Sequence, residues 1–284
     1  MTLNEYKIHF KKALLPIYDE LECNTMFAIT MEEVLGYQKI DVMLKSDEVL
    51  SETHVKRLDE VIELLRTEQP IQYIFNKGYF YGYEFKVSSA TLIPRRETEE
   101  LVEWVLQIMN EQPNKIWRVL DIGTGTGCIP ITIKKEFPLA DISAIDVSKE
   151  ALQIAKENAV NLEADVLFIE KDILMTNELA NYDIIISNPP YVRNLEKTEI
   201  KKNVLEYEPH LALFVEDDDP LIFYRKITQL AHQYLNENGF LFFEINQYLG
   251  KEMEEMMKEY FSDIELKKDI LQNDRMMKMT KIIK

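Results

Sequence analysis

Apolar positions along the chain change their period twice. Over residues 1–70 every segment reads as helix. The opening stretch MTLNEYKIHFKKALL mixes charged and apolar residues as an amphipathic helix does. Val55, Leu58, Ile62 and Leu65 follow Ser51 at spacings of three and four. Thr30-Met31-Glu32-Glu33 has the form of a capping box ahead of Val34 and Leu35. Pro70 ends the series, because the residue before a proline is pushed out of the helical region. These positions predict a small helical domain over residues 1–70. Residues 71–93 are rich in aromatic and β-branched side chains and punctuated by Gly78 and Gly82, which predicts a β-hairpin linker.

From residue 94 to 284 strand and helix patterns alternate. Strands are predicted over 116–122, 141–146, 166–170, 182–187, 240–245, 264–268 and 276–283. Helices are predicted over 97–111, 128–137, 148–161 (capped by Ser148), 220–235 and 248–261. Runs such as DIIIS and FLFFEI carry no polar face, as in a sheet covered by helices on both sides. The pattern predicts an α/β domain, a doubly wound sheet of seven strands. The last two strands leave no room for a crossover helix and are expected to pair antiparallel.

Two loops carry candidate chemistry. In RVLDIGTGTGCIPI the first strand runs into its helix through Gly123, Gly125 and Gly127, which permit positive φ and close approach of a ligand to backbone. Asp146 closes the next strand, where an acid can hold two ribose hydroxyls. The spacing is G-x-G-x-G rather than the G-x-G-x-x-G of pyrophosphate binders, and Asp121 precedes it. An acid there suits a cationic ligand such as S-adenosylmethionine; NAD and a purely structural turn are the alternatives. Asp172 is placed to take an adenine amino group and Ile173 to pack on the ring. The fourth strand ends in Asn188-Pro189-Pro190-Tyr191. A conjugated –NH2 is a poor nucleophile because its lone pair is delocalised. The Asn188 side-chain oxygen and the Pro189 carbonyl can each accept one N–H, and Tyr191 can stack on the flat group. Asn188, Pro189 and Tyr191 are therefore the candidate catalytic residues, and Asn188 to Tyr191 the substrate clamp.

Composition narrows the class. The chain has 284 residues, 46% hydrophobic and 29% charged, as expected of a globular protein with a substantial core. No apolar run approaches the roughly 20 residues of a membrane span, and the N-terminus lacks the apolar stretch of a signal peptide. Cys23 and Cys128 stand far apart and read as free thiols of a reducing compartment, so a cytoplasmic location is expected. The four histidines show no ligand spacing, and no metal is expected. A net charge of −17 counts against a nucleic-acid-gripping face, while leaving room for a local basic patch. The run Glu216–Pro220 reads as a solvated loop or a helix start.

Six stretches occur in order: TLIPRRETEELVE (Thr91–Glu103), DIGTGTGCIPI, AIDVS (Ala144–Ser148), SNPPYV, EPHLALF (Glu208–Phe214) and DILQNDRMM (Asp269–Met277). With QPIQYI and the helical N-terminus, they resemble the release factor glutamine methyltransferase family over nearly the whole chain. The resemblance implies a Rossmann-like, seven-stranded, S-adenosylmethionine-dependent methyltransferase domain behind a helical domain that docks the substrate. It implies methylation of the glutamine amide in a Gly-Gly-Gln loop of peptide chain release factors. The cofactor would lie on Gly123, Thr124, Gly125, Thr126, Gly127, Asp146, Ile173 and Asn188, with Thr98 and Glu99 lining its methionine end. Arg96, Asn246 and the run Glu216–Pro220 depart from the family's usual residues. A monomer binding no nucleic acid directly is expected. The same tetrapeptide would serve an adenine-N6 or guanine-N2 methyltransferase, the main alternative; a catalytically idle module that binds translation factors is another.

Overall fold

The structure is a computed structural model that describes residues 1–281. It divides into two units: Met1–Asn76 with Lys201–Tyr207, and Lys77–Ile200 with the chain from Glu208 onward.

The first unit is helical. It holds α1 (Leu3–Leu14), α2 (Glu20–Leu35), α3 (Lys39–Leu44), α4 (Glu52–Arg66) and α5 (Ile71–Phe75), and takes in α9 (Lys202–Tyr207) from later in the chain. Thr2 and Glu5 form the capping box of α1, and the Ser51 hydroxyl accepts from His54 N–H at the start of α4. The expected box at Thr30–Glu33 is not a helix start. Both ends of that segment lie inside α2, which begins at the Asp19/Glu22 capping box. Thr30 is buried there and donates its hydroxyl to the Met26 carbonyl one turn back. Leu3, Tyr6, Phe10, Leu14, Phe27, Leu58, Ile62 and Leu65 close a common core. Residues 71–75 are helical, not extended, because Ile71 joins that core. Tyr207 donates its hydroxyl to the Thr67 carbonyl at 2.9 Å, and Lys202 pairs with Glu68.

The second unit opens with the predicted hairpin, β1 (Lys77–Phe80) against β2 (Tyr83–Lys86), then α6 (Arg96–Asn110). Strand and helix alternate through β3 (Arg118–Ile122), α7 (Cys128–Glu136), β4 (Asp141–Asp146), α8 (Lys149–Asn161), β5 (Leu167–Glu170) and β6 (Tyr182–Ser187). A minor parallel pair follows, β7 (Val192–Arg193) with β8 (Phe214–Val215). The unit closes with α10 (Ile222–Tyr234), β9 (Leu235–Glu244), α11 (Gly250–Met257), β10 (Asp263–Lys268) and β11 (Asp274–Thr280). The predicted end of the last strand, residues 282–283, lies outside the described residues. Strand β9 begins five residues earlier than expected, with a register shift against β6 between Tyr182 and Ile184.

The main sheet has seven strands in the order β10-β11-β9-β6-β3-β4-β5. All neighbours are parallel except those of β11, which runs antiparallel to both β10 and β9. The all-apolar strands behave as their pattern demands. Ile184 and Ile186 of β6 join the core with α6 and α7, while Ile185 joins the core with α10 and α11. Strand order reverses between β3 and β6, and α/β sheets bind ligands at such a crevice on the carboxyl edge. Register puts Ile122, Ile145 and Ser187 side by side at that edge.

Candidate active site

A cavity of about 310 Å³ opens at the edge where β3, β4, β5 and β6 end. Its wall includes Gly123, Thr124, Gly125 and Thr126 after β3, Asp146 after β4, Asp172 and Ile173 after β5, and Asn188, Pro189 and Pro190 after β6, with Thr98 from α6. Thr98 of α6 and Asn188, 90 apart in sequence, thus meet at the side to which the parallel strands deliver their carboxyl ends.

The glycine loop is shaped by its backbone. Gly123, Gly125 and Gly127 all have left-handed φ, between 53° and 79°. A Cβ on Gly127 would also stand 2.9 Å from Ile131 Cδ1, so that residue serves the packing of α7 against α8. Gly127 accordingly lies behind the cavity wall rather than on it. Asn158, buried in α8, donates to the Thr126 carbonyl at 2.9 Å and to the Lys86 carbonyl at 3.0 Å, tying the loop to the hairpin.

Asp146 is held by two backbone donors, Gly125 N–H at 2.8 Å and Ser148 N–H at 2.9 Å. Each oxygen accepts one of these bonds, and Asp146 lines the cavity. Burial raises its pKa above the ordinary carboxylate range, and these two donors oppose the rise. Asp172 spends one oxygen on Leu174 N–H at 2.9 Å and is otherwise exposed. Asp121 does not reach the wall; it sits beneath the loop, fully buried, with neither oxygen hydrogen-bonded among the described residues. Burial pushes its pKa up to about 7, the nearby Asp146 carboxylate adds to the rise, and the Thr124 hydroxyl beside it opposes it.

Asn188 is half-buried at the end of β6, and its amide nitrogen donates to the Thr98 hydroxyl at 3.3 Å. Thr98 in turn donates to Glu244 Oε2 at 2.6 Å, and Tyr191 donates to Glu244 Oε1 at 3.0 Å. Tyr191 is not among the cavity's wall residues: it packs against the core that includes residues of α10, and its hydroxyl is engaged by Glu244. Burial, with the Glu244 carboxylate beside it, pushes the phenol well above its usual range. Glu99 is also turned away. One residue on from Thr98 it points about 100° around the helix, where it accepts Tyr81 N–H at 2.7 Å. Glu244 was not foreseen from sequence. Its signal is a lone acid closing the apolar run FLFFE, where an uncompensated charge would be costly.

Asn246, one of the departures from the family pattern, has a defined role. Its amide donates to the Tyr191 carbonyl at 3.0 Å and to Glu196 Oε2 at 3.0 Å, and Glu196 also accepts Arg193 N–H at 2.8 Å. The run at 216–219 is similarly engaged: Glu216 accepts from Asn194, Asp217 from Leu195 N–H, and Asp219 pairs with Arg225. No cluster of His, Cys, Asp or Glu suited to a metal occurs among the described residues, and no helix among them is long and apolar enough to cross a membrane.

Comparison with known proteins places these features. The methyltransferase small domain model matches residues 101–211, and the PrmC N-terminal domain model matches residues 22–75. The release factor glutamine methyltransferase of Flavobacterium psychrophilum is 51% identical over 282 residues, covering 98% of this chain and 99% of its own. That of Bacteroides thetaiotaomicron is 40% identical over 278 residues, covering 97% and 99%. Among solved structures, a methyltransferase from Pyrococcus furiosus superimposes with a TM-score of 0.52 at 16% identity, over 79% of this chain and 99% of that one, which is a likeness of fold.

Proposed function

The chain belongs to the release factor glutamine methyltransferase family, and on that premise we propose that its cavity binds S-adenosylmethionine and methylates the glutamine side-chain amide in the Gly-Gly-Gln loop of peptide chain release factors. The observation that carries this reading is the junction of two walls. Asn188 and Pro189 lie on the same cavity as the glycine loop, and the Asn188 carbonyl is 3.9 Å from where a Cβ of Gly123 would stand.

The residues present suit the cofactor. Each Asp146 oxygen has a lone pair for a ribose hydroxyl, Asp172 has an oxygen for the adenine amino group, and buried Ile173 offers an apolar face for the ring. Asp121 is a buried acid beneath the loop with no cationic side chain among the groups that shift it, which favours a positively charged ligand above it. When bound, S-adenosylmethionine supplies a sulfonium-activated methyl group.

The chain's own work is to make an amide nitrogen nucleophilic. Asn188 Oδ1 and the Pro189 carbonyl each accept one N–H of the glutamine –NH2. This holds the nitrogen in place and turns its lone pair away from conjugation. Orientation of this kind supplies up to about 7–11 kcal/mol of barrier reduction. Positive charge that develops on the nitrogen falls between two fixed carbonyl dipoles. One N–H proton leaves to water once the C–N bond has formed, so no base stronger than these acceptors is needed. The Pro189 and Pro190 nitrogens carry no hydrogen, so neither competes with the substrate as a donor.

The test is incubation with isotope-labelled cofactor, a release factor and total RNA. The expected result is one methyl group on the Gly-Gly-Gln glutamine, located by peptide mass mapping. Label on RNA with none on the release factor would favour the adenine-N6 or guanine-N2 reading instead.

A further inference from the structure

We infer that Glu244 is a positioning residue that acts through Thr98 to decide which end of the Asn188 carboxamide faces the cavity. The inference deepens the proposed function and rests on it for its catalytic consequence, though not for its geometry.

A carboxamide has a donor end and an acceptor end of nearly equal size, so shape alone does not orient it. Here the hydrogen bonds do. An ionised Glu244 carboxylate only accepts. Both of its oxygens are taken, Oε2 by the Thr98 hydroxyl at 2.6 Å and Oε1 by the Tyr191 hydroxyl at 3.0 Å. Thr98 has a single hydroxyl proton and uses it on Glu244, so toward Asn188 it offers lone pairs alone. Asn188 must then present its –NH2 to Thr98, as the 3.3 Å contact has it. Its Oδ1 is left on the other side, where an acceptor for the substrate amide is needed. Thr98 and Glu244 are 3% and 1% exposed, so water does not compete for these bonds.

A flipped Asn188 would aim a donor at another donor, and the clamp would fail. The relay reverses when Glu244 takes up a proton. A protonated Glu244 can donate to Thr98, freeing the threonine proton to turn toward Asn188 and favour the flipped amide. The groups facing Glu244 are Thr98 and Glu97 from α6, Tyr191 after β6, Tyr224 from α10 and Arg275 from β11, whose guanidinium is shared with Asp269. Burial raises the Glu244 pKa above the usual carboxylate range, and the hydrogen bonds from Thr98 and Tyr191, with Arg275, oppose the rise. Methyl transfer should accordingly show an acid limb in kcat that belongs to Glu244.

The test uses the full chain with a Gly-Gly-Gln peptide and saturating cofactor. Thr98→Val keeps the shape of the side chain and removes the relay, and should lower kcat about tenfold or more. Thr98→Ser, which restores the hydroxyl, should recover most of that loss. Glu244→Gln should flatten the acid limb of kcat, and calorimetry with S-adenosylmethionine checks that each variant is folded. Wild-type kcat in Thr98→Val, or an unchanged acid limb in a folded Glu244→Gln, overturns the inference while leaving the proposed function standing. The amide orientation is also read without turnover, by asparagine-selective 15N NMR. A cross-relaxation peak from the Asn188 –NH2 to the Thr98 methyl is expected, and its absence overturns the inference. If that peak is present and wild type methylates no glutamine, the proposed function falls and the orientation relay survives.

Discussion

Single side chains at the carboxyl edge divide the labour, and each division has its own measurement. Asn188→Ala removes one acceptor of the clamp, whose side chain is bonded to Thr98 rather than to Asp146 or the glycine loop. It should leave the Kd for S-adenosylmethionine within a few-fold of wild type and lower kcat by about a hundredfold or more, read by calorimetry and initial rates. Asp146→Ala should do the reverse, weakening cofactor binding about tenfold or more. Unchanged affinity would remove Asp146 from the ribose role. Asp121 links the site to pH. Its folded-state pKa is raised to about 7, so the native state holds that proton more tightly than the unfolded chain does. The stability this confers is complete below the unfolded value near 4 and is lost as pH rises through 7. The ligand-free protein should lose Tm between about pH 4 and pH 7, and Asp121→Asn should flatten that fall. A cationic ligand favours the ionised form, so cofactor affinity should rise over the same interval.

Elements determine how accurately those side chains are held. The turn from β3 into α7 depends on left-handed backbone at three glycines, and Gly127 also lacks room for a Cβ beside Ile131 and Ala155. Gly127→Ala should lower stability by about 1–3 kcal/mol and loosen cofactor binding with it, checked by denaturant titration and calorimetry. Helix α8 starts at Ser148, whose hydroxyl accepts Ala151 N–H at 3.1 Å and whose own N–H binds Asp146. Such a start is legible from sequence, because cap chemistry is local. The Thr30–Glu33 signature opens no helix for the complementary reason. A capping signature is short, and a helix already running from Asp19 with its apolar face buried overrides it. Residues 192–215 carry short strands, turns and the brief α9 with little periodicity, and Glu196 among them is held by the distant Asn246.

At the scale of the whole molecule, the cavity is built wholly from the second unit, while α9 is counted with the first. A chain beginning at Lys77 should keep cofactor binding, since no wall residue is lost. We expect its methylation of an intact release factor to fall further than that of a short Gly-Gly-Gln peptide, consistent with a docking role for the helical unit. Equal losses on both substrates would argue against docking there. The net charge of −17 makes a basic protein partner more compatible with this surface than a polyanion. With such a partner, KM should rise with salt while kcat stays level, because screening acts on encounter rather than on the enclosed site.

Sequence alone determined the sheet and most of its helices, the glycine loop, the carboxylate after β4 and the Asn188-Pro189-Pro190-Tyr191 turn. Each is specified by neighbours in the chain, through alternation, capping, positive φ or the missing donor of proline. Tertiary structure decided which of these meet. It turned Glu99 to the hairpin, withdrew Tyr191 to Glu244, sank Asp121 beneath the loop and assigned Asn246 to the chain after the clamp. None of this is periodic or local. A side chain's direction is set by elements distant in sequence, and the orientation of the Asn188 amide follows from the hydrogen bond that Thr98 of α6 donates to Glu244 of β9.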